Sequence, residues 1–298
     1  MSVEIEPVEF RGLKERLRAY AHLGLYRALS HAPIDLASDI GSFIIRRNVS
    51  RNLPHIITGA RRNLTRLQPD WTEAKVEAGI WRFVDNVGRL YGEFAVLHRL
   101  ISENRVSFDR VQMQRLYDTG RPIVAVMLHT GNWEVFGAAL ADMKIPISSF
   151  YLPPDVAMHA ALARATRTRL GIKLLEPNAI GVRKALRLIA GGQHFAMFGD
   201  EARGGETMAP LFGRPAHVRG NLGLISRFAR GADALVVIGH CVRLHKSHFS
   251  LHLSEAISLT AEVGERGGII DDVTYLNERI EPIIHMHADQ WYFLDNHF

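Results

Sequence analysis

Apolar positions along the 298-residue chain recur with one period in its first third and with another thereafter. Residues 12–31 place Leu13, Leu17, Tyr20 and Leu23 at helical spacing, with Lys14, Glu15 and Arg18 turned away, which predicts a basic amphipathic helix. Arg16 and Arg27 flank that stripe and Gly24 interrupts it. Further helices are predicted at about 33–47, 54–67 and 72–100; the last offers Asp70 and Thr72 as N-caps and continues an apolar stripe through Ile80, Phe83, Val84, Val87, Leu90 and Tyr91.

Beyond residue 103 the pattern changes to short apolar runs alternating with helical stretches. Strands are predicted at 122–128, 146–151, 172–175, 194–198, 234–240 and 248–254, and helices at about 132–142, 155–169, 179–191, 219–230 and 268–286. Near-continuous apolar strands that alternate with helices imply an α/β fold, a mostly parallel central sheet flanked by helices. The run HFSLHLS (248–254) alternates instead, as a half-exposed antiparallel edge strand does. The expected organisation is a helical N-terminal platform, 1–103, joined to an α/β core, 104–298, in one compact unit. No internal repeat or low-complexity linker interrupts it.

Charge refines this picture. The net charge is +5, but residues 11–67 hold eleven basic groups against Glu15, Asp35 and Asp39, whereas 68–298 is balanced and the start, MSVEIEPVEF, is acidic. A local cationic segment fits a polyanionic surface, either an anionic membrane leaflet or nucleic acid. No apolar run approaches the roughly 18–20 residues of a spanning helix, and the acidic start is unlike a secretory signal. The single Cys241 excludes an internal disulfide and a Cys-based zinc site, and a reducing compartment is expected.

Candidate chemistry concentrates at two places. The block HTGNWE, His129 to Glu134, follows the strand PIVAVML and opens the next helix, where open α/β sheets place their sites. His129 can act as a base near neutral pH, and Glu134, in the first helical turn, can return its carboxylate to the imidazole as a His–acid dyad. Gly131 permits the sharp turn and the new helix supplies free N–H groups. The competing reading has His129 as a satisfied core histidine and Asn132 as a helix cap. The second place is the Gly- and Pro-rich stretch 198–221, with Asp200, Glu201 and Arg203, which faces either the same rim or solvent. No G-x-S-x-G elbow, Walker A loop or G-x-G-x-x-G motif appears, so a substrate hydroxyl attacking directly is the simplest chemistry for a lone base.

Four stretches resemble the bacterial lipid A biosynthesis acyltransferase family, which includes the phosphatidylinositol mannoside acyltransferases. They are ARRNLTRLQP (60–69), LHTGNWE (128–134), MFGDEARGGETMAPLFGRPA (197–216) and ADQWYFLDNHF (288–298), in the family's order. The resemblance implies transfer of a fatty acyl chain from an acyl thioester, acyl carrier protein or coenzyme A, to a hydroxyl of a membrane glycolipid, a lipid A precursor first among them. It places the reaction at the cytoplasmic face of the bacterial inner membrane. Many relatives have a longer apolar anchor where this chain is short and amphipathic, so the expected attachment is peripheral, through residues 11–67; no metal, and no cofactor beyond that co-substrate, is expected. His129 and Glu134 are the expected catalytic residues, and Asn132, Arg164, Arg167, Arg183, Asp200 and Arg203 the expected substrate-binding ones. The chain reads Asp200-Glu201-Ala202 where relatives often have Asp-Gln-Asp. Three other readings stay open: the same fold acting on a mannoside or aminolipid; a non-enzymatic nucleic-acid-binding protein built on the basic segment, which lacks interleaved aromatics beyond Tyr20, Tyr26 and Phe43; and a catalytically inactive lipid-binding relative.

Overall fold

The computed structural model describes residues 12–298; the acidic start and Arg11 lie outside the described residues. In chain order the elements are α1 (Leu13–His31), α2 (Ile34–Asn52), α3 (Pro54–Leu67), α4 (Glu73–Glu93), α5 (Leu97–Leu100), β1 (Val106–Ser107), α6 (Arg110–Tyr117) and β2 (Ile123–Met127). They continue with α7 (Val135–Asp142), β3 (Ser148–Phe150), α8 (Ala157–Arg169), β4 (Lys173–Leu175), α9 (Ala179–Ala190), β5 (Phe195–Phe198), β6 (Ala202–Arg203) and β7 (Glu206–Thr207). Last come α10 (Gly220–Gly231), β8 (Leu235–His245), β9 (His248–Leu253), α11 (Leu259–Glu262), α12 (Ile269–Met286) and a short 3₁₀ turn, Ala288–Gln290.

Seven strands form the central sheet in the order β1-β9-β8-β2-β5-β3-β4, parallel except at the β8–β9 pair. The α/β architecture with a mostly parallel sheet and a helical N-terminal region is therefore the observed one. Central β2 runs between β8 and β5, and its apolar residues Val124 and Val126 are fully buried against the helices of one face.

Several boundaries differ from the expected ones. The predicted helix 72–100 stops at Glu93 and resumes as the single turn α5, because Phe94 and Val96 close it with short-range backbone bonds to Leu90, Gly92 and Glu93. Thr72 is its N-cap, accepting from the Lys75 N–H. β9 is antiparallel to β8 as its alternation implied, but it is not the sheet edge: two residues of β1 pair with it in parallel. The stretch 198–221 holds a two-stranded ribbon, β6–β7, whose turn residues Gly204 and Gly205 both have positive φ (57° and 80°), as a two-residue hairpin of this twist requires.

The N-terminal helices pack through small residues. Gly88 and Gly92 of α4 lie against Ala37 and Gly41 of α2 so closely that a methyl group on Gly92 would overlap the Ala37 carbonyl. The largest apolar cluster then joins Leu64, Ile80, Phe83 and Val84 of this layer to Val124, Val126, Phe195 and Met197 of the sheet and to Trp291 and Leu294 near the C-terminus. The predicted stripe of α1 behaves differently. Only Ala19 and Leu29 of that helix are buried, whereas Leu13, Leu17 and Tyr20 are more than half exposed.

Candidate active site

The site is built where two neighbouring parallel strands end. Met127 of β2 and Phe198 of β5 are in register, and the Gly199 N–H donates to the Met127 carbonyl. His129 and Asp200 each follow two residues after that registered pair, so the strand spacing alone sets their side chains opposite each other. Asp200, fully buried, takes three bonds: Oδ1 accepts from His129 Nδ1 (2.9 Å), and Oδ2 accepts from the His129 backbone N–H (2.8 Å) and from Trp291 Nε1 (2.9 Å).

This arrangement corrects the expected His129–Glu134 dyad. Gly131 adopts φ +56°, where a side chain would press within 2.6 Å of the Cys241 carbonyl, and the resulting turn carries Glu134 away from the imidazole. Glu134 instead receives the guanidinium of Arg167 on α8, through Nε (3.1 Å) and a second nitrogen (2.5 Å), and the indole N–H of Trp133 (3.2 Å). Burial disfavours the Arg167 charge, but the charge and hydrogen bonds of Glu134 outweigh it and raise the pKa of the guanidinium.

Rings enclose the imidazole of His129, which is 16% exposed. Phe198 stacks on it at 3.8 Å, while Trp133 and Phe293 meet it edge-on at 4.9 Å and Tyr292 lies at 6.3 Å. With Nδ1 held by a carboxylate, Nδ1 carries the proton and Nε2 keeps its lone pair. Nε2 has no hydrogen-bond partner among the described residues, so it is the ring atom open to an incoming group. The C-terminal stretch is tied in by its backbone, with Tyr292 N–H donating to the His129 carbonyl and Gly131 N–H to the Gln290 carbonyl. Burial, with Tyr91 beside it, raises the pKa of the Tyr292 phenol.

The other expected binding residues divide. Asn132 is buried and committed: its Oδ1 accepts from the Glu134 N–H (3.2 Å) and its Nδ2 donates to Glu93 (2.9 Å). Asn132 is thus a buried residue of the turn ahead of α7, whose N-cap is Glu134 and not Asn132 as the competing reading had it, with no face left for a substrate. Asp200 is corrected in the same way, since no atom of it reaches solvent. Arg164 is exposed and lies over Tyr151 at 5.1 Å, with Arg167 over the same ring at 5.5 Å. Arg203 is exposed at the β6–β7 ribbon, 3.4 Å from Glu201. Arg183 sits on the exposed side of α9 and takes no part in the bonds that join His129, Asp200, Glu134 and Arg167. Glu201 accepts the Asn221 N–H at the start of α10, a favourable place for a carboxylate.

Residue reasoning missed Trp291, Phe293, Glu93 and Arg243. Glu93, fully buried, accepts from Ser38, Asn132 and the Arg243 guanidinium, and so ties the helical layer to the turn that bears Glu134. The density of aromatic residues in 291–298 was the available signal for the first two; nothing local marks Glu93 or Arg243. Cys241 behaves as read, a buried thiol whose pKa burial pushes up to about 12.

Beneath the site, between the sheet and helices α6 and α7, runs a cavity of about 130 Å³. Trp133, Glu134 and Arg167 stand at its upper end, and its walls are otherwise almost wholly apolar. Its side chains come from alternate strand positions, the Met127 and Phe198 row uppermost and the Ala125 and Ala196 row next.

Fold and site together define an α/β enzyme class: a buried-carboxylate–imidazole pair at the carboxyl rim of a parallel sheet, over an apolar cavity. The sequence matches the bacterial lipid A biosynthesis acyltransferase family over residues 8–298, and the chain belongs to that family. It is an acyltransferase acting on a lipid acceptor. No curated protein matches the sequence. Among the described residues, no helix is long and apolar enough to cross a membrane, and no group of His, Cys, Asp and Glu is arranged to hold a metal ion.

Proposed function

We propose that the protein transfers a fatty acyl chain from an acyl thioester, of acyl carrier protein or coenzyme A, to a hydroxyl of a membrane glycolipid, a lipid A precursor. The observation that carries this reading is the free Nε2 of His129, backed by a carboxylate on Nδ1, on a ring packed against Phe198 and Trp133, which line a deep apolar cavity.

The acyl chain lies in the cavity, which leaves its thioester carbonyl near Trp133, Glu134 and Arg167. His129 Nε2 takes the proton of the acceptor hydroxyl as its oxygen forms the bond to the carbonyl carbon. Asp200 stabilises the imidazolium through Nδ1–H. The tetrahedral intermediate then collapses, the C–S bond breaks, and the departing sulfur receives the proton from His129. No covalent enzyme intermediate is needed. General-base assistance contributes typically ~10²–10⁴-fold, and positioning of the two substrates supplies the rest. Arg167, held by Glu134, is the arginine that lines the cavity and supports negative charge on the carbonyl oxygen or on a donor phosphate.

Attachment to an anionic leaflet is supported by exposed Leu13, Leu17 and Tyr20 beside Lys14, Arg16 and Arg18 on α1, and by exposed Phe43 and Ile44 beside Arg47 on α2. Part of the 11–67 segment is occupied otherwise: Arg61 pairs with Glu77, while Arg62 and Arg66 donate to the carbonyls of Asn296 and Phe298. Purified protein given acyl thioesters and candidate glycolipids, compared with His129→Ala, tests the mechanism; undiminished turnover without His129 disproves it. Flotation with anionic and neutral vesicles tests the attachment, and mass spectrometry of the product identifies the acceptor.

A further inference from the structure

The cavity owes its existence to a choice of small residues on one face of the sheet. The strand positions that face α3, α4 and α12 carry Val124, Val126, Phe195 and Met197, all buried and bulky. The alternate positions of the same strands and of β3 carry Ala125, Ala196 and Ser149, which line the cavity. Parallel strands covered by helices normally fill both faces with branched residues, so this row leaves a void that neighbouring helices do not close.

Register orders the walls into levels. Met127 pairs with Phe198 at the top, and Ala125 with Ala196, and Ala196 with Ser149, in the middle. One further step of two residues along each strand reaches Ile123 and His194, which also line the cavity. From the Met127 level to the Ile123 level is four residues, or about 13 Å. At that depth the apolar wall ends. The His194 imidazole is pinned there, its Nδ1 accepting from the Ile123 backbone N–H at 3.1 Å. Beside it stands the ring of Tyr117, from the last turn of α6, with centroids 5.3 Å apart. Tyr117 is 37% exposed, so it separates the cavity from solvent with one side of its ring. Burial lowers the pKa of His194, which keeps this end polar but uncharged.

We propose that Tyr117 and His194 form the floor that sets the longest unbranched acyl chain the protein accepts, with Ala125, Ala196 and Ser149 keeping the path to it open. This rests on the cavity being the acyl-chain site. A chain that just reaches the floor buries every methylene. A longer one must displace the Tyr117 ring or leave carbons outside, and gains nothing from them. Each methylene that is buried improves affinity about fourfold.

The test is binding of a homologous series of unbranched saturated fatty acids, octanoate to stearate, to the full chain, read by calorimetry. Wild type is expected to gain about fourfold per methylene up to a break length and nothing beyond it. Tyr117→Ala moves the break to longer chains and raises the ratio of palmitate to laurate affinity at least ~tenfold. Tyr117→Leu, which keeps an apolar residue on α6, moves it in the same direction should the alanine variant fold poorly. Ala196→Leu, which fills the middle level, moves it to shorter chains. An unchanged break in the Tyr117 variants, with wild type still showing one, overturns the floor and leaves the acyl site standing. Absence of any chain-length dependence in wild type overturns the acyl-site reading and the floor with it.

Discussion

Replacing Asp200 by Asn should silence the enzyme without unfolding it, and the geometry fixes why. The carboxylate accepts three N–H groups: two on Oδ2, from the His129 backbone and Trp291, and one on Oδ1, from His129 Nδ1. An amide of the same shape can keep its oxygen toward only one of these sets. Turned with nitrogen in the Oδ2 position, it leaves two buried donors unpaired, at about 1–3 kcal/mol each. Turned the other way it satisfies both and presents N–H to Nδ1 of His129, which answers by moving its own proton to Nε2. The second orientation wins by roughly 2–6 kcal/mol, so the imidazole with a free Nε2 falls to about one part in 30 to one part in 10⁴. The turnover number for acyl transfer should drop by that factor, with the thermal midpoint changed by only a few degrees, since shape and the buried donors are kept. The assay is single-turnover transfer from an acyl thioester, with ¹⁵N spectra of the His129 ring as an independent reading of the tautomer. Turnover within about threefold of wild type, or a ring that still carries its proton on Nδ1, would contradict the assignment of Asp200 and of Nε2 as the base.

Three further outcomes follow from other parts of the structure. Arg167→Lys keeps the charge but loses the two-pronged contact with Glu134, and kcat/KM should fall at least ~tenfold with little change in thermal stability; full activity in the lysine variant would show that charge alone suffices. Glu93→Gln leaves the buried Arg243 guanidinium without its counter-charge, at about 3–5 kcal/mol, and should lower the melting temperature on the order of 10 °C in differential scanning calorimetry; a shift under about 2 °C would place no weight on that pair. Burial, and then the neighbouring imidazoles of His252 and His287, depress the pKa of His240 from 6.5 to about 4. Because the unfolded chain binds that proton more readily, the stability His240 contributes is complete above pH 6.5 and is lost as pH falls toward 4, on the order of 3 kcal/mol. Asp289, which faces His287, acts in the opposite direction on that neighbour. Urea midpoints measured from pH 7.5 to 4.5 should fall less steeply in His240→Phe than in wild type, and parallel curves would exclude the effect.

Much of the fold could be read along the chain because its signals are local. The alternation of apolar runs and helical stripes gave the parallel sheet, since a strand covered on both faces must be apolar throughout. The departures came where pairing decides. Two residues, Val106 and Ser107, are too few to signal a strand, yet they cover β9. The ribbon at 202–207 looked irregular because its composition is dominated by the glycines of its turn.

The site divides along the same line. His129 stands out in sequence because it follows an apolar strand and precedes a glycine turn, and Arg167 because it lies in a cationic run. The partner of His129 does not stand out: Glu134 is five residues away and Asp200 seventy-one. Sequence distance favours the first. Strand register favours the second, since β2 and β5 lie side by side and end together. Asn132 likewise looked like a substrate ligand until its two polar ends were found satisfied inside the protein.

By itself the sequence determined the class of fold, the cationic helical segment, the candidate histidine and the family, because composition, periodicity and motif order are properties of the chain. Which carboxylate pairs with that histidine, which side of the sheet is hollow and where that hollow ends were decided only in three dimensions. Those depend on which strands are neighbours and in what register, and a linear pattern with one residue in every second position does not specify its neighbour.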